Sequence, residues 1–195
     1  MSEIKPRCIT LSSTTGSFDF AQDDSGVSQK RPTIIRAWSF LRHSTFGFRH
    51  FTMPYHYLEE IGTADIAFEA TGRDLAELFR DAADATTNVM IDNIEAIQPR
   101  ETRRIELSNE QLDMLLFDFL QELIFLKDAE RLLLRIREVQ ITKRDENYFL
   151  KATVEGETLD AERHHQRADV KAVTLHNFSV EQVDGGWKAR VLLDI

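Results

Sequence analysis

The feature that most constrains this chain is its last nine residues, Trp187-Lys188-Ala189-Arg190-Val191-Leu192-Leu193-Asp194-Ile195. Trp187, Ala189, Val191 and Leu193 fall on one face at period two, with Lys188, Arg190 and Leu192 on the other, so the stretch predicts a strand. Chain ends usually fray. Here an apolar strand runs to the final residue, which sets the α-carboxylate of Ile195 beside the side chain of Asp194. Two anionic groups on one rigid element make a start for a hard-cation site, because calcium and magnesium take oxygen ligands held in place. The simpler reading is that the domain ends there.

Length suits one domain, or one domain with an appendage. The net charge of −9 is unevenly spread: residues 1–52 sum to +3 and the remainder to −12. So acidic a body is a poor ligand for phosphate backbones, which need clustered Lys and Arg. It suits a cation or a basic protein partner, and no stable direct nucleic-acid binding is expected. One cysteine, Cys8, excludes an intrachain disulfide framework and a zinc-thiolate site. No apolar run approaches the roughly 18 residues of a membrane helix, and the N-terminus lacks a signal-peptide core, so the predicted location is the cytoplasm.

Residues 1–52 differ from the rest. They are rich in Ser, Thr, Gly, Gln and Phe without a sustained period, and residues 34–41 form their one apolar cluster. This segment is expected to be disordered, or a non-native extension upstream of a true start at Met53, with a patterned domain over 53–195. In that domain, 55–58 predicts a short strand. Ile66, Phe68 and Ala70 alternate with polar or small neighbours as a half-buried strand. Asp74-Leu75-Ala76-Glu77 is a capping box opening a helix with the stripe Leu75, Leu78, Phe79, Ala82, Ala83, Val89 and Met90, ending near Asp92-Asn93. Residues 94–97 predict a brief strand before Pro99, and 102–107 another. Ser108-Asn109-Glu110-Gln111 reads as a second capping box. The helix behind it carries Leu112, Leu115, Leu116, Phe119, Leu120, Leu123 and Ile124, with Asp113, Asp118, Gln121 and Glu122 toward solvent. From Glu130 onward the chain is mostly strand: an alternating run whose phase slips between Ile136 and Val139, predicting a bulge, then 147–155, 170–175 and 178–183. Asp184-Gly185-Gly186 turns the chain into the terminal strand. The two helix-bearing halves look alike. The predicted fold is α+β and two-layered, with two helices on one face of a mostly antiparallel sheet and a duplicated strand-helix-strand pattern.

Motifs of catalysis are scarce. There is no GxSxG, no phosphate-cradling loop and no GxGxxG, so no catalytic residue is assigned and no enzymatic activity is expected. His164-His165 lies in a polar stretch without further ligands at zinc spacing, and reads as a solvated loop. His56 and His176 read as half-buried packing histidines. Lys171 opens an apolar strand; it points to solvent, or, if aimed at an acidic cleft, serves function.

Thr63-Ala64-Asp65, the segment Val170-Lys171-Ala172-Val173-Thr174-Leu175-His176 and the terminal Asp194-Ile195 together resemble the archease family. Gly156-Glu157-Thr158-Leu159-Asp160 ahead of His164 and the leucine helix support the likeness, which covers 54–195. Gly62 stands where the family carries histidine, and Leu175 where it carries tyrosine. The resemblance implies a small acidic α+β cofactor of the RtcB-type RNA ligase, which joins RNA ends with GTP and manganese in tRNA splicing and RNA repair. Such a cofactor promotes guanylylation of the ligase and its multiple turnover. The alternative the family implies is a chaperone or modulator of a tRNA methyltransferase. It further implies a divalent cation, calcium, held by Asp65, Asp194 and Ile195, with Lys171 and His176 supporting the partner's active site. Residues 1–52 have no counterpart in that family. The intact mass of the natively expressed protein is therefore expected to correspond to a start at Met53; a mass that includes 1–52 contradicts this.

Overall fold

The computed structural model describes residues 54–58 and 65–195. The expectations for 1–52, Met53, Gly62 and Thr63 fall outside them. The order is β1 (Tyr55–Leu58), β2 (Asp65–Gly72), α1 (Leu75–Met90), β3 (Glu101–Asn109), α2 (Leu112–Glu130), β4 (Leu132–Arg144), β5 (Asn147–Thr158), β6 (Ala172–Val183) and β7 (Gly186–Asp194). Every described pairing is antiparallel. The expected α+β class with two helices on antiparallel strands is what the chain adopts. The strands divide into two sheets, β1-β2-β7-β6 and β3-β5-β4. Both helices pack against strands of both sheets. The strand-helix-strand order recurs along the chain with β3 shared, but β2 and β3 fall in different sheets while β3 and β4 flank β5 in one.

The terminal strand sits inside its sheet, bonded to β2 on one edge and to β6 on the other. Its predicted faces hold. Ala189, Val191 and Leu193 join Phe68, Ala70 and Val173 in the core against the helices. Lys188, Arg190 and Leu192 take the opposite face with Asp194, by the period-two rule. The helices meet through Phe79 and Phe119, whose ring centroids are 6.1 Å apart. Tyr57 ties β1 to α1 by donating to Ala85 O and Asn88 Oδ1, both at 3.1 Å. The slip between Ile136 and Glu138 in the β4–β5 ladder is the predicted bulge.

Local chemistry explains the departures. Asp74 caps α1, its Oδ1 accepting from Glu77 N at 2.8 Å, but Glu77 reaches back to Arg73 N rather than to Asp74 N. The second capping box does not form. Ser108 and Asn109 belong to β3, opposite Phe149 and Tyr148, and α2 starts after Gln111 with no side-chain cap. Cross-strand pairing wins over the local cap. Residues 94–97 are not a strand: Ile94–Ala96 is a 3-10 turn, because Asn93 Oδ1 accepts from Glu95 N and offers the backbone a tighter local alternative. The runs 170–175 and 178–183 merge into one strand that begins only at Ala172, leaving Val170 and Lys171 before it, and its register breaks between Thr174 and Ser179, where Asn177 adopts φ 54°. Two residues of α2 expected in solvent are engaged: Gln121 accepts from Val173 N at 2.8 Å, and Asp118 from Asn109 at 3.0 Å.

These caps give opposite expectations for two similar substitutions. Asp74→Ala is expected to cost about 1 kcal/mol in denaturant unfolding, whereas Ser108→Ala stays within about 0.5 kcal/mol as an exposed strand position. Equal losses would contradict the placement of the second helix start.

Candidate functional site

The described residues that the terminal motif singles out converge at one end of the four-stranded sheet. Asp65 opens β2 and lies directly opposite Asp194 on β7, and Asp194 in turn lies opposite Ala172 on β6. Directly opposed residues bring their Cβ atoms to about 5 Å, and like charges so placed repel. Among the described residues neither carboxylate has a hydrogen-bond or ion-pair partner. The chain end beyond them is held. Lys171 N donates to Asp194 O at 2.9 Å, and Lys171 Nζ donates to Ile195 O at 2.9 Å. Lys171 is exposed, as the solvent reading has it, and its ammonium reaches the backbone oxygen of Ile195.

This donor set fits a hard cation. The groups brought together are all oxygen donors: two side-chain carboxylates and Ile195 O, which accepts from Lys171. Among the described residues no group of three His, Cys, Asp or Glu side chains is arranged to hold a metal, so a cation here would also need backbone or solvent oxygens. One further oxygen stands out. The Thr174 hydroxyl is buried and, among the described residues, has no hydrogen-bond partner. A buried hydroxyl left so costs about 1–3 kcal/mol. Thr174 lies on the same face as Asp65 and Asp194, one row in from them, opposite Leu192, which itself faces Ala67. His176 is not brought to the cluster. It is exposed in the irregular stretch of β6, five residues past Lys171, which is roughly 15 Å along a strand. Exposure also corrects the half-buried reading of His176 and of His56, which sits 3.7 Å from Glu69 at the surface.

The sequence missed a second constellation. His164, expected in a solvated loop, is 1% exposed, and its partner Glu157 is 2% exposed. His164 Nδ1 accepts from Asp160 N at 3.0 Å, so Nε2 carries the proton and donates to Glu157 Oε1 at 3.1 Å. Glu157 Oε1 also accepts from Gln98 N at 2.9 Å, and Oε2 faces Arg163 and Arg100. Gly156 precedes it because a Cβ there would come within 1.8 Å of Leu133 O. The cluster staples the segment after β5 to the segment before β3. A signal existed in the run Gly156-Glu157 ahead of His164, but the partners Gln98 and Arg100 are distant in sequence.

Burial alone would raise the Glu157 pKa. The hydrogen bonds from Arg163, the Gln98 amide and His164 outweigh it and bring the carboxyl to about 2, below its ordinary 4.5. A depressed folded-state pKa contributes stability that is complete above the unfolded value and is lost as pH falls from about 4.5 toward 2. Glu157→Gln is therefore expected to be less stable than wild type at pH 7, with the gap closing over that window in urea unfolding. A gap independent of pH would contradict the charge-based account.

Residues 55–195 match the model of the Archease protein family (MTH1598/TM1083). The chain is 40% identical over 134 residues to protein archease of Pyrococcus abyssi, covering 68% of this chain and 94% of that protein. It is 41% identical over 133 residues to protein archease of Methanothermobacter thermautotrophicus, again covering 68% and 94%. The solution structure of Methanobacterium thermoautotrophicum protein 1598 superposes with a TM-score of 0.64 at 38% identity, covering 73% of this chain and 99% of that one. The family match takes in every described strand and helix, from β1 through the strand that ends at Asp194, and so this chain belongs to the archease family.

Proposed function

We propose that this protein is a protein cofactor of an RtcB-type RNA ligase, promoting its GTP-dependent guanylylation and multiple turnover in tRNA splicing or RNA repair, and that it binds a divalent cation, calcium, in doing so. The observation that carries the reading is the end of the four-stranded sheet, where Asp65 and Asp194 oppose each other beside a terminal carboxylate anchored by Lys171. Two opposed carboxylates without partners favour a bound cation over an empty site. A divalent cation held there would present positive charge to phosphate oxygens of a nucleotide in the partner's active site.

Each residue has a separate task. The β2–β7 ladder fixes the spacing of Asp65 and Asp194. Lys171 pins the chain end through its backbone and its ammonium, so that the Ile195 carboxylate is presented in one orientation. His176, exposed on β6, is available to the ligase rather than to the cation. The body carries a net charge of −12 outside residues 1–52, which disfavours direct RNA binding and suits a basic protein surface. The ligase supplies the nucleophile, in keeping with a site that holds carboxylates and a lysine but no nucleophile-base pair.

The test is ligation of a broken tRNA at limiting ligase. Wild type is expected to lift product above one equivalent per ligase; Asp65→Ala, Asp194→Ala and Lys171→Ala are expected to lose this stimulation by at least tenfold, in the range seen when a metal's supporting residues are removed. The two aspartate variants should unfold no more easily than wild type without added cation, since each relieves a like-charge pair. Stimulation by Asp194→Ala equal to wild type, at equal stability, would overturn the proposal.

A further inference from the structure

We propose that β3 is a docking edge for a second copy of this chain, the two β3 strands pairing antiparallel about a two-fold axis at Ile105. The edge of a sheet presents unpaired N–H and C=O groups that can take up another strand, and folded proteins blunt such edges. The other described edges here are blunted. β1 is four residues long. β4 carries the bulge after Ile136. β6 breaks register between Thr174 and Ser179, and its Val173 N is taken by Gln121 of α2. β3 has none of these devices. It lies at the outside of its sheet and pairs with β5 over all nine of its residues without a slip. Among the described residues no backbone group of β3 bonds to the backbone of a strand other than β5. Arg103, the cation on its inner face, is matched within its own chain by Glu101 at 2.9 Å and Glu130 at 3.1 Å.

The sequence of β3 is complementary to itself. Thr102, Arg104, Glu106 and Ser108 are exposed and share the outer face, while Ile105 at their centre is buried on the inner one. Pairing centred on Ile105 sets Arg104 of each copy opposite Glu106 of the other, and Thr102 opposite Ser108. The two-fold thus repeats one ion pair and one hydroxyl pair on either side of the axis. The neighbouring registers that keep the outer faces together are disfavoured by charge. Centring on Arg104 opposes two arginines, and centring on Glu106 opposes two glutamates. Both charged side chains are available for the exchange. Glu106 has the exposed Lys151 at 3.6 Å, and Arg104 has no ion-pair partner among the described residues. The contact is mostly backbone pairing with few side chains, which places it in the small, transient class of interfaces. It joins two three-stranded sheets through their β3 edges and uses no strand of the sheet that carries the proposed cation site.

The experiment is sedimentation equilibrium of the full-length chain over a rising concentration series. The samples are wild type, Arg104→Glu, Glu106→Arg and an equimolar mixture of the two variants, with thermal unfolding of each run alongside. Wild type is expected to form a reversible dimer. Each variant alone sets like charges at both symmetric pairs and should dimerise more weakly by about tenfold or more. In the mixture every pair is again of opposite charge, so heterodimers should form at least as readily as wild-type dimers. Both positions are exposed, so unfolding temperatures should stay close to that of wild type. Wild type that stays monomeric throughout would overturn the inference. So would single variants that dimerise like wild type, or folded variants whose mixture stays as monomeric as its components. The mixture is the decisive arm, because association through any other surface is not restored by it.

Discussion

Strand β7 is bonded along both edges, and the arrangement at the proposed site depends on that double ladder. A strand at a sheet edge or a frayed segment could not hold Asp194 and Ile195 in one place. Here β2 and β6 clamp the last residues from both sides, and the inward faces of Val191 and Leu193 are fully buried against the helices. The same ladder forces Asp65 against Asp194. The register therefore sets two like charges opposite each other at the sheet's end. Lys171 relieves only the terminal carboxylate, through its ammonium. In the proposed function a cation neutralises the aspartate pair.

The rest of the molecule holds that clamp in position. Helix α2 fixes the start of β6 through Gln121, and Lys127 bonds Val170 O and Asp169 just before it. At a different place, the buried Glu157-His164 pair fastens the segment leading toward β6 onto the three-stranded sheet. This buried charge is matched by Arg163, Arg100 and a backbone amide, which is what a carboxylate removed from water requires. It is a structural ionic cluster; the aspartates of β2 and β7 have no such company among the described residues.

Much of this was legible in the chain. The terminal strand, its two faces and its end beside Asp194 follow from alternation alone. The Asp74 cap and the bulge after Ile136 were equally readable, since both are set by neighbours in sequence. What escaped depends on distant partners. Ser108 and Asn109 have the composition of a cap, but pairing with Phe149 and Tyr148 draws them into β3. His164 looked solvated because the Gln98 amide that shares its carboxylate lies 59 residues before Glu157. The separation into two sheets could not be read from periodicity, which sets faces and not partners. Thr174 is the sharpest case: its polarity looks ordinary in a strand, and only the three-strand register places it beside the acidic row.

The measurement that bears most directly on the central claim is a crystal structure of the full-length chain grown with calcium. It is predicted to show one calcium ion per chain, coordinated by Asp65, Asp194 and the Ile195 carboxylate, with water completing its shell. Calcium bound only elsewhere, or Asp65 and Asp194 turned apart with no ion between them at saturating calcium, would contradict the account.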